Sequence, residues 1–120
     1  MIEKHDDFTG NIVYFVASGV VTSEDYENIL IPEVDKMLQE NKKIRMLYQL
    51  DENFESFTTG AMWDDTQVGL KHFASWEKIA VVTDVVWIRG TLNVFAFAIP
   101  TVVKLFTNDE LDQAKEWIQS

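Results

Sequence analysis

Four short runs of β-branched and aromatic residues punctuate this chain: Ile12 to Ser18 (IVYFVAS), Ile44 to Leu50 (IRMLYQL), Lys78 to Thr83 (KIAVVT) and Val102 to Phe106 (VVKLF). Each is continuous rather than alternating, the pattern of a strand covered on both faces. The segments between them carry apolar residues at helical spacing, and strands alternating with helices imply right-handed crossovers and a mostly parallel sheet. Ahead of the first run, Ile2 to Asp7 (IEKHDD) reads as a weaker, polar strand, joined to it by the turn residues Thr9, Gly10 and Asn11. The expected fold is α/β: an N-terminal antiparallel strand on a mostly parallel five-stranded sheet, with about four helices. At 120 residues the chain suits one domain, 1–120, with its own core.

Thr22 is placed to cap the first helix, with Asp25 three residues on to meet the orphan amides of the first turn. Tyr26, Ile29, Leu30, Val34, Met37 and Leu38 then recur at spacings of three and four, forming one apolar stripe that stops at Asn41. Pro32 lies within it and, lacking an N–H, should kink the helix. Further helical segments run from Gly60 to Phe73, from Val86 to Ile99, and from Asp109 to Gln119, the last capped by Thr107 or Asn108. In that last helix Leu111, Ala114, Trp117 and Ile118 share one face.

Charge and composition remove several functions. Twenty Asp and Glu against ten Lys and Arg give a net charge of -10, which repels phosphate backbones and argues against nucleic acid. With no Cys, disulfides, thiolate nucleophiles and Cys-based metal sites are excluded. The N-terminus MIEKHDDFTG lacks the basic and apolar regions of a signal peptide, so a reducing cytoplasm is the expected compartment.

The stretch from Val85 to Pro100 (VVWIRGTLNVFAFAIP) departs from this acidic background. No acid occurs between Asp84 and Asp109, while Arg89 and Lys104 are basic. Val86, Trp87, Leu92, Val94, Phe95, Phe97, Ala98 and Ile99 spread around a helical wheel instead of forming one stripe. Three readings follow. The helix is buried completely; or Val85 to Phe106 spans a membrane, against which Arg89, Asn93, Pro100 and Lys104 argue; or a surplus apolar surface shelters a ligand or docks on lipid or protein.

The segments GVVTSEDY, GAMWDD, GLKHF, IAVVTDVVW, a following proline with KLF, and ELDQAKEWI, in that order, resemble the SpoIIAA-like family, a bacterial group related to STAS domains. The resemblance covers nearly the whole chain and implies the same fold class as the strand pattern. It implies no assigned reaction, and suggests apolar-ligand binding and membrane association. STAS domains that antagonise anti-sigma factors carry an Asp-Ser-Ser-Gly-like motif whose serine is phosphorylated. The nearest match here is FTTG, Phe57 to Gly60, without the Asp. Thr58 could accept phosphate at that helix N-terminus, but capping is the ordinary role of Thr there, and the switch is not carried over.

Catalytic patterns are poorly supported. Asp64, Asp65 and His72 fall on one helical segment at spacings of seven and eight, not the three or four that metal ligands on one face need, so no metal or cofactor is expected. Asp64 and Asp65 read as a solvated face, and Asp51, Glu52 and Glu55 as a loop after a strand end. No phosphate loop, nucleophile elbow or His-Glu-x-x-His pattern occurs. The expectation is a non-enzymatic binding domain that holds an apolar or lipid-like molecule between the helix at 60–73 and the helix at 86–99. Trp63, Trp87, Leu92, Phe95 and Phe97 would supply apolar contact and Arg89 would pair with an anionic head group, with peripheral membrane association as a variant. The alternative is an interaction or regulatory module that uses the same patch for a homodimer or a partner.

Overall fold

The computed structural model describes residues 1–71, 73–98 and 102–120, with side chains throughout these except at 66, 68–71, 73 and 94–98. Five strands form one sheet: β1 (Ile2–His5), β2 (Ile12–Val21), β3 (Ile44–Phe57), β4 (Trp76–Val82) and β5 (Val103–Phe106). They lie in sequence order across the sheet, β1 antiparallel to β2 and every later neighbour pair parallel. The opening hairpin turns at Gly10, whose φ of +78° is accessible to glycine at little cost.

Helix α1 (23–40) starts at the Thr22 cap, whose hydroxyl accepts from the Asp25 amide while the Asp25 carboxylate accepts from the Thr22 amide. Its middle is not a simple proline kink. The α-helical turn Ser23–Asp25 widens to a π-helical segment over Tyr26–Leu30 before Ile31–Glu40 resumes as α-helix. The Ile31 amide reaches back five residues to the Tyr26 carbonyl, so the register slips by one residue just before Pro32 takes a first-turn position where its missing N–H costs least. Helices α2 (Thr59–Lys71) and α3 (Val86–Ala98) are the other two crossovers, and α4 (Leu111–Gln119) closes the described chain. Ahead of α4, Thr107 and Glu110 form a second reciprocal cap.

Because the strand order is sequential, successive crossovers of one hand return over the same face. The first core confirms this: Val13, Phe15, Met46 and Tyr48 pack with Tyr26, Leu30 and Val34 of α1, Ala61 of α2 and Ile88 of α3. Among the described residues, α4 is the helix on the opposite face, where Ala114 and Ile118 pack on Tyr14, Leu47, Ala80, Val82 and Phe106, with Phe8 beside them. The continuous apolar runs are thus explained, although three helices share one face and only one takes the other. Arg45 and Lys78, projecting on the α4 face, donate to the carbonyls of Ile118, Trp117 and Ser120, placing cations at the negative end of that helix dipole.

Strand β3 corrects one sequence expectation. It does not end at Leu50 but runs on to Phe57, so Asp51, Glu52 and Glu55 belong to a strand and not to a loop. Past a bulge at Gly19, which adopts φ +60°, β2 pairs with this extension from Gly19↔Phe54 to Val21↔Phe57. The polar sequence concealed the strand, since acids there face water beyond the covered part of the sheet.

Candidate functional site

Open α/β sheets usually bind ligands beyond the carboxyl ends of their parallel strands. Here that end is laced shut by side chains. The Tyr14 hydroxyl donates to Gln49 Oε1 at 2.5 Å, and Gln49 Nε2 donates to Asn108 Oδ1 at 2.9 Å. Asn108 Nδ2 in turn donates to the Leu50 carbonyl at 3.0 Å and to Asp84 Oδ2 at 2.9 Å, while its amide donates to Asp84 Oδ1 at 3.1 Å. Arg89 joins the same structure: its Nη1 donates to the carbonyls of Thr83 and Phe106, each at 2.9 Å. Arg89 therefore braces α3 across the ends of β4 and β5, an engagement that competes with any pairing to an anionic head group. Beside this lacing an open depression of about 350 Å³ is lined by Gln49, Asp51, Glu52, Asn53, Asn108 and Leu111. A second, of about 420 Å³, lies between β1 and α1. Asp51 and Glu52, two of the acids noted in the sequence at this strand end, line the first; neither depression is lined by Trp63, Trp87, Arg89 or Leu92.

Those residues lie on α2 and α3. Trp63 is 64% exposed and Met62 47%, one turn into α2; Val86 is 83% exposed and Trp87 53%, in the first turn of α3. On the inner faces Ala61 and Ile88 are buried, and Leu92 is half-buried against the core, where it packs the helix onto the sheet. Trp63 and Trp87 make no ring contact with each other or with another described aromatic residue. The structure opens both tryptophans to solvent without bringing them together. The side chains of Phe95 and Phe97, like the whole of His72, lie outside the described residues. Thr58 is half-buried, and its hydroxyl accepts the Ala61 amide at 3.2 Å while its carbonyl accepts the Met62 amide at 3.0 Å. It caps α2.

The sequence reading missed a polar chain beneath α2. Tyr26 of α1 is fully buried and Tyr48 of β3 nearly so, and their hydroxyls lie 2.8 Å apart. The Tyr26 hydroxyl donates to Asp65 Oδ1 at 3.1 Å. Since Tyr26 has one proton and gives it to Asp65, Tyr48 must donate to Tyr26, so the chain runs Tyr48 to Tyr26 to Asp65. One turn earlier, the Ser23 hydroxyl donates to Asp64 Oδ2 at 2.5 Å, and Gly60 sits so near that an added Cβ would lie 3.0 Å from the Ser23 Cβ. Asp64 and Asp65 are accordingly not a merely solvated face: both fasten α2 to α1. Desolvation, with the neighbouring Asp65 charge, pushes both tyrosine hydroxyls above their ordinary range. Desolvation also pushes the Asp65 carboxyl up, against the opposing pull of the Tyr26 hydrogen bond. Yet Asp65 is open to solvent as a residue. A signal existed in the sequence: tyrosines at two positions that periodicity marks as buried each need a hydroxyl partner.

Among the described residues no helix is long and apolar enough to cross a membrane, and Val103–Phe106, the end of the stretch weighed as a span, is a strand paired with β4. Among the same residues no three His, Asp or Glu stand together as a metal site. No curated protein matches the sequence. The chain is similar to the crystal structure of an uncharacterized protein with a SpoIIAA-like fold from Shewanella loihica PV-4. The two are 26% identical, with a TM-score of 0.73, over 98% of this chain and 93% of that one. The SpoIIAA-like family model matches residues 12–119, from the first residue of β2 to the last of α4. On that match, and with the mixed five-stranded sheet in place, the chain belongs to the SpoIIAA-like family.

Proposed function

We propose that this SpoIIAA-like domain is a non-enzymatic binding module that holds an apolar or lipid-like small molecule along α2 and α3. One observation carries the reading: four large apolar side chains, Met62, Trp63, Val86 and Trp87, stand open to water at the starts of these helices, while the strand ends are closed by polar bonds. Large apolar side chains left open to water supply a binding surface where they form a contiguous patch. Trp63, Trp87, Leu92, Phe95 and Phe97 would supply the contact. Native mass spectrometry of the purified protein, with thermal unfolding across a fatty-acid and lipid panel, tests it. A ligand that prefers the folded state raises the unfolding temperature by mass action. Repeated absence of any bound species, with no stabilisation by any panel member, would remove the proposal. Flotation with vesicles distinguishes peripheral membrane contact from uptake of single molecules.

A second reading, an interface for a partner or a second copy, is favoured by the direction of Trp63. At about 100° per residue, Trp63 stands roughly 200° around α2 from Asp65, which meets Tyr26 on the inner side, so the indole points away from the sheet. An outward tryptophan is a common anchor of protein interfaces. This reading predicts oligomers or captured partners that are lost on Trp63→Asp or Phe95→Asp, without dependence on lipid.

A further inference from the structure

We propose that the free edge of β1, with the depression beside it, accepts an extended segment of a partner protein, one that carries a basic residue between two apolar ones. This surface is separate from the apolar starts of α2 and α3. Among the described residues β1 pairs with β2 alone, which leaves its other side open. The Met1 carbonyl accepts the Ser18 amide, and bonding alternates along an antiparallel ladder, so the amides and carbonyls of Ile2 and Lys4 point out from the sheet. Donors and acceptors spaced in this way are matched by the backbone of another strand, while pockets for alternate side chains decide which strand is taken.

The depression fixes the pattern of that strand. Side chains directly opposite each other in a ladder share a face of the sheet. Ile2 packs into the core under α1, and Lys4 meets Glu33 of α1, so residues set opposite these two would project on the α1 face, where the depression of about 420 Å³ lies. Ile29 and Pro32 of α1, both exposed, line it beside Ile2. Apolar side chains entering there would cover them. Glu3 and His5 turn to the other face, His5 against the ring of Tyr14, so the residue between the two apolar ones meets the exposed Glu3 carboxylate. Charge sets its sign. Lys4 is engaged by Asp6 and Glu33, each at 3.2 Å, whereas the described ion-pair contact of Glu3 is His5 Nε2 at 3.8 Å. Asp6, Glu33 and Glu3 thus stand against the single Lys4 ammonium at this edge, on a chain of net charge -10. A Lys or Arg opposite Glu3 is attracted, and an acid there is repelled. A second copy of β1 offers no such match, because it sets Glu3 against Glu3 or Lys4 against Lys4.

The test titrates two blocked peptides, Thr-Val-Lys-Val-Thr and Thr-Val-Glu-Val-Thr, whose patterns read alike in either direction, into the isotope-labelled chain and follows its backbone amides by NMR. Titration runs to about 5 mM, since a short segment binds in the millimolar range. On the unaltered chain the Lys-centred peptide should shift the Ile2 and Lys4 amides most, a readout that needs no variant to fold. It should also bind at least about threefold more tightly than the Glu-centred one. Glu3→Lys should invert that order, and Glu116→Lys, an equal change of charge at an exposed position of α4, should keep it. Ile29→Ser should weaken both peptides. Shifts centred away from β1, an order of affinities that survives Glu3→Lys, affinities untouched by Ile29→Ser, or no binding of the Lys-centred peptide at about 5 mM would each overturn the proposal.

Discussion

Replacing Tyr26 with Phe tests the directed hydroxyl chain, because the three partners have unequal stakes. In Tyr26→Phe the Tyr48 hydroxyl, nearly buried on β3, loses its acceptor and is left as an unsatisfied donor, which costs about 1–3 kcal/mol. Asp65 also loses a donor, but its solvent-open side lets water replace it, so this adds only about 0.5–1 kcal/mol. The sum is about 1.5–4 kcal/mol. Tyr48→Phe is milder: Tyr26 keeps its bond to Asp65 and loses only an incoming proton, a change of about 1 kcal/mol or less. In the double variant the stranded Tyr48 donor is gone, so Tyr26→Phe with Tyr48→Phe should be more stable than Tyr26→Phe alone, by about 1 kcal/mol. Urea unfolding followed by circular dichroism measures all three, provided the slope against urea is unchanged. If Tyr48→Phe costs as much as Tyr26→Phe, or if the two costs simply add, the stated polarity of the chain is wrong.

Other consequences follow from the same contacts. Since Asp65 binds its proton more readily when folded than when unfolded, its charge opposes folding at neutral pH, and that penalty is relieved as pH falls through its raised value. Asp65→Asn should therefore be at least as stable as the parent near neutrality, with the advantage vanishing on acidification; an advantage that grew in acid would contradict the assignment. Thr58→Ala should destabilise by about 0.5–2 kcal/mol and Thr58→Ser by little, as unfolding curves would show, because the hydroxyl caps the Ala61 amide. Asn108→Ala strips Gln49, Leu50 and Asp84 of partners at once, and should cost about 2 kcal/mol and speed amide exchange at the ends of β3 and β5.

Fold class was legible in the sequence because the apolar runs that make β2 to β5 are also the runs that the sheet buries on its two faces. The cap of Thr22 with Asp25 was legible too, since a capping box is a local arrangement of hydroxyl and carboxylate three residues apart, while for the last helix the sequence left Thr107 and Asn108 open and the structure uses Thr107 with Glu110. Three features were not. The extension of β3 to Phe57 is set by pairing with β2 past the Gly19 bulge, and its acids mimic a loop. The π segment satisfies Pro32 by slipping register, which no residue pattern announces. The meeting of Tyr26, Tyr48 and Asp65 joins positions 22 and 39 residues apart in sequence, and Arg89 pairs with the Phe106 carbonyl 17 residues on. Such contacts depend on how helices settle on the sheet. The exposure of Trp87 was foreseen only as a surplus of apolar residues in the stretch from Val85 to Pro100, and Trp63 was expected inside a groove, because a wheel counts side chains without showing which neighbours cover them.

The sheet edge bears on how this domain could associate with itself. The Met1 ammonium donates to the Ser18 carbonyl and the Met1 carbonyl accepts from the Ser18 amide, so in β1 the odd residues turn their backbone groups toward β2, and Ile2 and Lys4 turn theirs outward at the free edge. An antiparallel pairing of two β1 edges must then match even residues with even ones. The registers that engage most of the strand set Glu3 opposite Glu3 or Lys4 opposite Lys4, and like charges directly opposite are destabilising. Edge pairing is thus disfavoured by charge, while the apolar starts of α2 and α3 carry no such guard. Replacing Glu3 and Lys4 together with Thr removes the repulsion and should raise the apparent mass in light scattering as concentration increases. The same pair of changes combined with Trp87→Asp should associate equally well, because the edge, not the helices, would then be the contact. A mass that stays constant with concentration in the Glu3→Thr, Lys4→Thr variant would show that something other than these charges keeps the edge unpaired.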